Sequence, residues 1–438
     1  MNLHHSLKAV PLLLALVMTL LTGLSAVVVA QDEPILVEAR GNQRQSIVIE
    51  LPRITPSNSS PELARELSDV IIYDLNMSGI VTPEGRDPLF SREMTGFDSV
   101  DYASWSAGGV GLLVRGAVTV KGSDGLNVEF RLYDIAARSA LVAKRYLGTR
   151  ADLRKFAHSF ADEILLALTG ERGSFAAKVA YVTTQSGNKE IAVMDWDGHN
   201  MRAVTSNGSI NLNPDFSPDG NQLLFTSYKR GNPDLYRRLL TSASDTPISQ
   251  RKGLNVTGVW SPDGASIALT LSKDGNSEIY SLSKDGGNPL RLTNSSAIEV
   301  SPAWSPDGKK IAFVSDRLGK PQIFVMDANG SNVRRLTTSG SYNVTPRWSP
   351  KGDRIAYARM IGGGFQIFTI AADGSADMQL TTQGSNENPA WSADGRFIVF
   401  ASKRGGPEAL YVMRADGSGQ TKVSRSKGGS SQPAWSRQ

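Results

Sequence analysis

The C-terminal two-thirds of the chain alternates short apolar runs with polar turns at a fixed period. Each period opens on an aromatic followed by a tight turn, as in Phe216-Ser217-Pro218-Asp219-Gly220. The marker recurs at Trp260, Trp304, Trp348, Trp391 and Trp435, with Lys351 replacing Asp in the fourth copy and Ala393 replacing Pro in the fifth. Three more apolar runs follow each marker. After Trp304 they are Ile311-Ala312-Phe313-Val314, Ile323-Phe324 and Leu336-Thr337. Their β-branched and aromatic residues suit half-buried strands. Asp285-Gly286, Asn329-Gly330, Asp373-Gly374 and Asp416-Gly417 supply the positive φ of tight hairpins. Four strands in a period of about 44 residues predict a β-propeller. One period before Phe216 there is no aromatic, yet Val179-Ala180-Tyr181-Val182, Ile191 and Val204-Thr205 stand at the spacing of three later strands. Trp435 ends a first strand that lacks the other three. Joining them gives an all-β six-bladed propeller over residues 178–438, closed by the C-terminal strand and left with no free sheet edge.

Residues 31–170 carry a different pattern. Ile47-Val48-Ile49 reads as a strand. Leu63, Leu67, Val70, Ile71 and Leu75 recur at helical spacing, with Ser60 as N-cap, Pro61 at the first helical position and Gly79 as the stop. A strand over 112–120 leads through a turn at 122–125 to Leu126, Val128, Phe130 and Leu132, which alternate with Asn127, Glu129, Arg131 and Tyr133 as one buried and one open face. Another strand covers 141–147. A second helix opens at Thr149 with Asp152 as a capping partner; Leu153, Phe156, Phe160, Ile164 and Leu168 face inward, and Gly170 closes it. This predicts a separate α/β domain, joined by a linker at 171–177.

Residues 1–30 predict a secretory signal: His4, His5 and Lys8 precede an apolar run at 10–24 that is short for a membrane span, and Val28-Val29-Ala30 suits cleavage. The alternative is an uncleaved anchor. The chain has no cysteine, so after export it must be held by its cores alone. Its formal net charge of +5 is weak and dispersed, which argues against nucleic acid as a partner.

Catalysis has little to stand on. Beyond the leader there are two histidines, His158 in a helix and His199 in a turn beside Asp197. No G-x-S-x-G, HExxH or phosphate loop occurs, so no catalytic residue, cofactor or metal is assigned. The recurring Asp219, Asp263, Asp307 and Asp394 invite a calcium reading, but turn geometry explains them as well. The tryptophans read as packing between blades.

Strand parity adds one expectation. The tight turns fall on one face of the propeller, and the loops between second and third strands and between blades on the other. The second face carries Lys189, Lys229, Arg230, Lys273, Arg317, Lys320, Arg359, Lys403 and Arg404 against Asp274 and Asp316. Interblade segments add Arg251, Lys252, Arg347, Arg425 and Lys427 against Asp215, Glu299 and Glu387. A basic face with adaptable loops predicts a binding surface; the alternative is that these charges only keep the face solvated.

The stretch 69–79, ending Leu75-Asn76-Met77-Ser78-Gly79, resembles the helix and L-x-x-S-G ending of the TolB family of the Tol–Pal cell-envelope system. Val128-Glu129-Phe130-Arg131-Leu132-Tyr133-Asp134, Leu168-Thr169-Gly170-Glu171-Arg172-Gly173 and the entry into Val179-Ala180-Tyr181-Val182 are similar too. The likeness covers essentially all of the chain after the leader. It implies a non-catalytic periplasmic adaptor, a monomer on its own and peripheral to the membrane through its partners, with roles in outer-membrane integrity and in constriction at division. It implies that the propeller binds the lipoprotein Pal, with contacts at Leu254, Thr257 and Val300. The family often has His and Thr at two of these places, so this sequence departs there. To them we add Lys229, Arg230, Arg317, Lys403 and Arg404 as steering charges. It also implies that the segment with Asp32, Glu33, Ile35, Leu36 and Val37 binds TolA and can dock back on its own protein. The plain alternative makes that segment an edge strand. The competing class is a propeller-type hydrolase or lyase with a metal in the funnel.

Overall fold

The computed structural model describes residues 47–50, 55–57, 61–84 and 99–437. The predicted leader, the segment 32–37 and the Ser60 cap lie outside them. The described residues all fall in one compact unit.

Its first layer is a mixed sheet. β1 (Ile47–Glu50) lies between β3 (Val81–Glu84) and β4 (Leu112–Lys121), parallel to both; β2 (Thr55–Ser57) also runs parallel to β4. β5 (Gly125–Asp134) and β6 (Ser139–Thr149) continue it antiparallel. α1 (Pro61–Ser78) and α3 (Leu153–Thr169) pack together, with Leu67, Ile71, Leu75, Phe160 and Ile164 buried in one core with Val128, Phe130 and Leu132. The Thr149–Asp152 capping box forms, opening a short 3-10 turn before α3. Leu168 packs against this core partly buried, as expected, and Leu165 is buried in it as well. Tyr133, expected on the open face, is buried because α2 (Tyr102–Ala107) brings Trp105 over that side.

Six four-stranded blades follow. Blades 1 to 5 begin at strands Asn211–Phe216, Asn255–Trp260, Glu299–Trp304, Asn343–Trp348 and Asn386–Trp391. Blade 6 takes its inner strand, Ser430–Trp435, from the end of the chain and its other three from Lys178–Thr183, Glu190–Asp195 and Arg202–Ala203. Trp435 stands opposite Val179 in that seam. Each Ser-Pro-Asp-Gly turn is closed by its own side chains: Ser305 Oγ donates to Asp307 Oδ1 at 2.6 Å, which also accepts from Lys309 N. These bonds hold Asp219, Asp263 and Asp307 below the usual carboxylate range, so the turn itself accounts for the repeated acid. The paired Gly turns pack against the neighbouring blade. At Gly198, φ is 86° and any Cβ would meet Val423 O at 1.8 Å, so only glycine fits.

The α/β layer sits on the tight-turn face, over blades 4 to 6. Arg414 donates to Met77 O and Asn76 O at the end of α1, both at 3.0 Å. Glu171 pairs with Lys351 and Arg396. The connection at 171–177 threads between the layers, where buried Phe175 meets Trp196 and Phe397, and Trp196 stacks on Trp435. One continuous core thus joins the layer to blades 5 and 6.

Candidate functional site

The described residues of the layer leave the long-loop face of the propeller uncovered, and the repeat decides what that face displays. Where an outer strand crosses to the next blade, a Thr hydroxyl pins the chain. Thr293 Oγ1 accepts from Ile279 N at 2.9 Å and donates to buried Glu278, which also takes Ser295 N. Thr337 with Gln322, Thr381 with Gln366 and Thr205 with Glu190 repeat it. Five residues before each marker a polar side chain is buried: Asn211, Asn255, Glu299, Asn343, Asn386 and Ser430. With that residue fixed inward, the one before it is turned out. In blades 1 to 4 this outward residue is apolar: Ile210, Leu254, Ile298 and Tyr342 are 45%, 36%, 51% and 37% exposed. In blades 5 and 6 it is Ser385 and Gly429. An apolar crescent therefore spans four of the six blades. Leu318 extends it, as does a longer hairpin in blade 4, Arg354–Ile361 and Gly364–Ala371, which exposes Met360 and Ile361. The repeat contained the signal for Ile210, Ile298 and Tyr342, but only Leu254 was singled out from the sequence.

The other expected contacts spread over different depths. Val300 packs against the core between blades 3 and 4. Thr257 lies in the channel wall, where each inner strand bulges and holds one non-glycine residue at positive φ; its hydroxyl meets Thr270 Oγ1 at 3.0 Å. The expected basic residues divide into two groups. Lys229 pairs with Asp245 and lies over Tyr236; Arg317 pairs with Glu299 over Phe324. Arg404 donates to Asn386, Gln420 and Ser402 over Tyr411. Arg359 is buried against Asp377. These cations hold blades together, and cross-strand acids offset part of the expected excess. Arg230 and Lys403 are exposed and make no ion pair among the described residues, as do Lys252 and Lys320. Arg425 does not join this face: it lines a cleft with Glu62 and Asp69 of α1. Arg347 and Asp215 line the central channel near its tight-turn mouth.

A second polar site lies at the joint between the layers. His158 of α3 and Asp74 of α1 are buried, with Nδ1 and Oδ2 2.7 Å apart, and Trp196 Nε1 donates to Asp74 Oδ1 at 3.2 Å. His158 Nε2 lies 3.6 Å from Asp197 Oδ2, which Arg154 also pairs. Burial pulls the His158 ring down, but the charge and hydrogen bond of Asp74, with Asp197 and Asp195 behind it, hold it above its ordinary value. Burial pushes the Asp74 carboxyl up to about 6, against the pull of His158. Nearby, burial raises Asp162 to about 7 although it accepts from Phe175 N and Ala176 N. His158, Asp195 and Asp197 are the one grouping among the described residues close enough to hold a metal. Arg154 and Lys178 already occupy the two carboxylates, so the set fits an imidazolium better than an ion. His199 lies in the neighbouring cleft, its ring lowered by burial.

Comparison with known proteins gives the family. The family model described as TolB amino-terminal domain matches residues 35–141, and that described as TolB beta propeller domain matches residues 166–438. The Tol-Pal system protein TolB of Geobacter sulfurreducens is 53% identical over 202 residues, 45% of this chain and 46% of that protein. Its counterpart in Geobacter metallireducens is 53% identical over 187 residues, 43% of each chain. In these matches the chain spans about half the length of the curated relatives. The crystal structure of TolB from Acinetobacter baumannii is similar with a TM-score of 0.77 at 28% identity, over 90% of this chain and 97% of that one.

Proposed function

We propose that this chain, which belongs to the TolB family, is a non-catalytic periplasmic adaptor of the Tol–Pal system. In this reading the long-loop face of the propeller receives Pal, the segment 32–37 receives TolA, and the two together serve outer-membrane integrity and constriction at division. The observation that carries it is the apolar crescent of Ile210, Leu254, Ile298 and Tyr342, rimmed by Arg230, Lys252, Lys320 and Lys403 on the face the α/β layer leaves open. Exposed apolar side chains at the same position of four successive blades, on a rigid scaffold, favour a partner surface. The unpaired rim charges favour an acidic partner and act mainly on its rate of approach.

The test is titration of purified Pal into the full chain and into Ile298→Asp. Burying one isoleucine side chain contributes about 1.5–3 kcal/mol, which corresponds to a loss of roughly ten- to a hundredfold in affinity. Undiminished binding by a variant that unfolds like the parent removes the crescent from the interface. Deleting 32–37 should abolish capture of TolA and leave Pal binding intact; unchanged capture overturns the second assignment.

A further inference from the structure

We propose that the tight-turn mouth of the central channel binds a small zwitterion, its carboxylate on Arg347 and its ammonium on Asp215. The residue before each blade marker borders the channel. In four blades it is small or apolar: Val259, Ala303, Ala390 and Ala434. In blades 1 and 4 it is Asp215 and Arg347. Blades 1 and 4 stand opposite each other in a ring of six, so an anion and a cation face one another across the axis. They form no ion pair with each other among the described residues. Asp215 Oδ2 accepts from Trp260 N at 2.9 Å, and among the described residues the Arg347 side chain makes one hydrogen bond, from Nη1 to Pro346 O at 3.1 Å. Both residues line a cavity of about 230 Å³ at the mouth and a smaller one of about 30 Å³ behind it, so they stand at the neck between the two.

The walls of the larger cavity include the rings of Trp304, Trp348 and Trp391 and the prolines Pro306 and Pro350. They offer apolar surface to a carbon skeleton. A simple anion would bind Arg347 but face the Asp215 carboxylate; a simple cation would meet the reverse. A molecule with both signs pairs both groups, and unpaired charges in such a place are costly. At about 30 Å³ per water, the cavity holds roughly eight waters or one molecule the size of an amino acid. Burial raises Asp215 and lowers Arg347, against the attraction of each charge for the other and of Arg437, which also lines the cavity, for Asp215.

The test uses the full chain and three probes on one skeleton: L-leucine, 4-methylpentanoate without the amine, and 3-methylbutylamine without the carboxylate. Binding is read by calorimetry and by indole fluorescence, since four tryptophans, Trp304, Trp348, Trp391 and Trp435, line the cavity. L-leucine should bind at least tenfold more tightly than either truncated probe. Arg347→Gln and Asp215→Asn should each weaken it tenfold or more with unchanged thermal unfolding; Asn keeps an oxygen for Trp260 N. Arg347→Lys provides a second variant should Gln disturb the fold, and it should retain part of the affinity. Equal binding of 4-methylpentanoate reduces the site to an anion site and overturns the proposal, as does equal binding of the amine. So does the lack of any response to L-leucine, or L-leucine affinity unchanged in both charge variants. Pal affinity, measured in parallel on the opposite face, separates failure here from failure of the adaptor reading.

Discussion

Replacing His158 with Leu tests what holds the α/β layer on the propeller. The substitution removes the partner 2.7 Å from Asp74 and leaves that buried carboxylate with the Trp196 indole alone, at 3.2 Å. Breaking a buried pair from one side costs about 3–5 kcal/mol, because an uncompensated charge remains. Asp74→Leu removes the imidazole's nearest partner but leaves Asp197 3.6 Å from Nε2 and the Trp196 N–H 3.4 Å from Nδ1, so it destabilises the fold by less. With both replaced by leucine, the Asp74–His158 pair is gone as a unit and Asp197 keeps its Arg154 partner; the remaining penalty is the orphaned indole N–H, about 1–3 kcal/mol. The double variant should therefore be more stable than the sum of the two single losses by at least about 2 kcal/mol. Urea unfolding followed by tryptophan fluorescence measures all four proteins, and the m-value shows whether the layer and the ring still unfold together. Strictly additive losses would refute the argument, because they would mean that the two residues act through separate packing rather than through their charges.

Stability should fall as pH rises from about 4 past 7. Asp74 at about 6, Asp162 at about 7 and the raised His158 all hold their protons more tightly in the fold than in the unfolded chain, so each step in pH costs the folded state more; a Tm that climbs through this window contradicts the assignment. Trp435→Ala should cost about 3–5 kcal/mol, since Trp435 is buried against Trp196 and Phe397; a Tm within a degree of the parent would mean that the seam does not rely on it. Arg230→Glu with Lys403→Glu should slow association with Pal at low salt without changing Tm, whereas Arg404→Glu should lower Tm because three hydrogen bonds and a ring contact are lost; stopped-flow rates and thermal scans separate the two.

The repeat was readable because most blades use the same scarce things at the same places: a large ring for the core, a glycine at positive φ, an acid to close the turn. The seam was readable for the same reason, since Trp435 and Val179 each lacked the partner the other supplies. α2 was missed because six residues with one buried tryptophan carry no period. β3 was missed because four residues including Pro83 carry little strand signal. The charges were harder to read. Lys229 and Asp245, or Arg317 and Glu299, are separated by a hairpin or more in sequence and adjoin only across strands. Asp215 and Arg347 were counted with the interblade loops, although they sit at the end of an inner strand where the next side chain faces the core. Spacing shows which blade a residue belongs to; whether its charge is already answered is decided by the neighbouring strand.

Blade 6 is assembled from two distant parts of the chain, and it is also where the α/β layer enters the ring, through Phe175 and Lys178. Tension applied to that layer is therefore delivered straight to the weakest line of the ring, the Ser430–Trp435 strand held by hydrogen bonds to its neighbour. The aromatic stack of Phe175, Trp196, Phe397 and Trp435 crosses that line from blade 5 to blade 6 and acts as a bolt through it. A pull that spares the stack loads the whole propeller as one ring. A pull that breaks it would load the closing strand's hydrogen bonds alone.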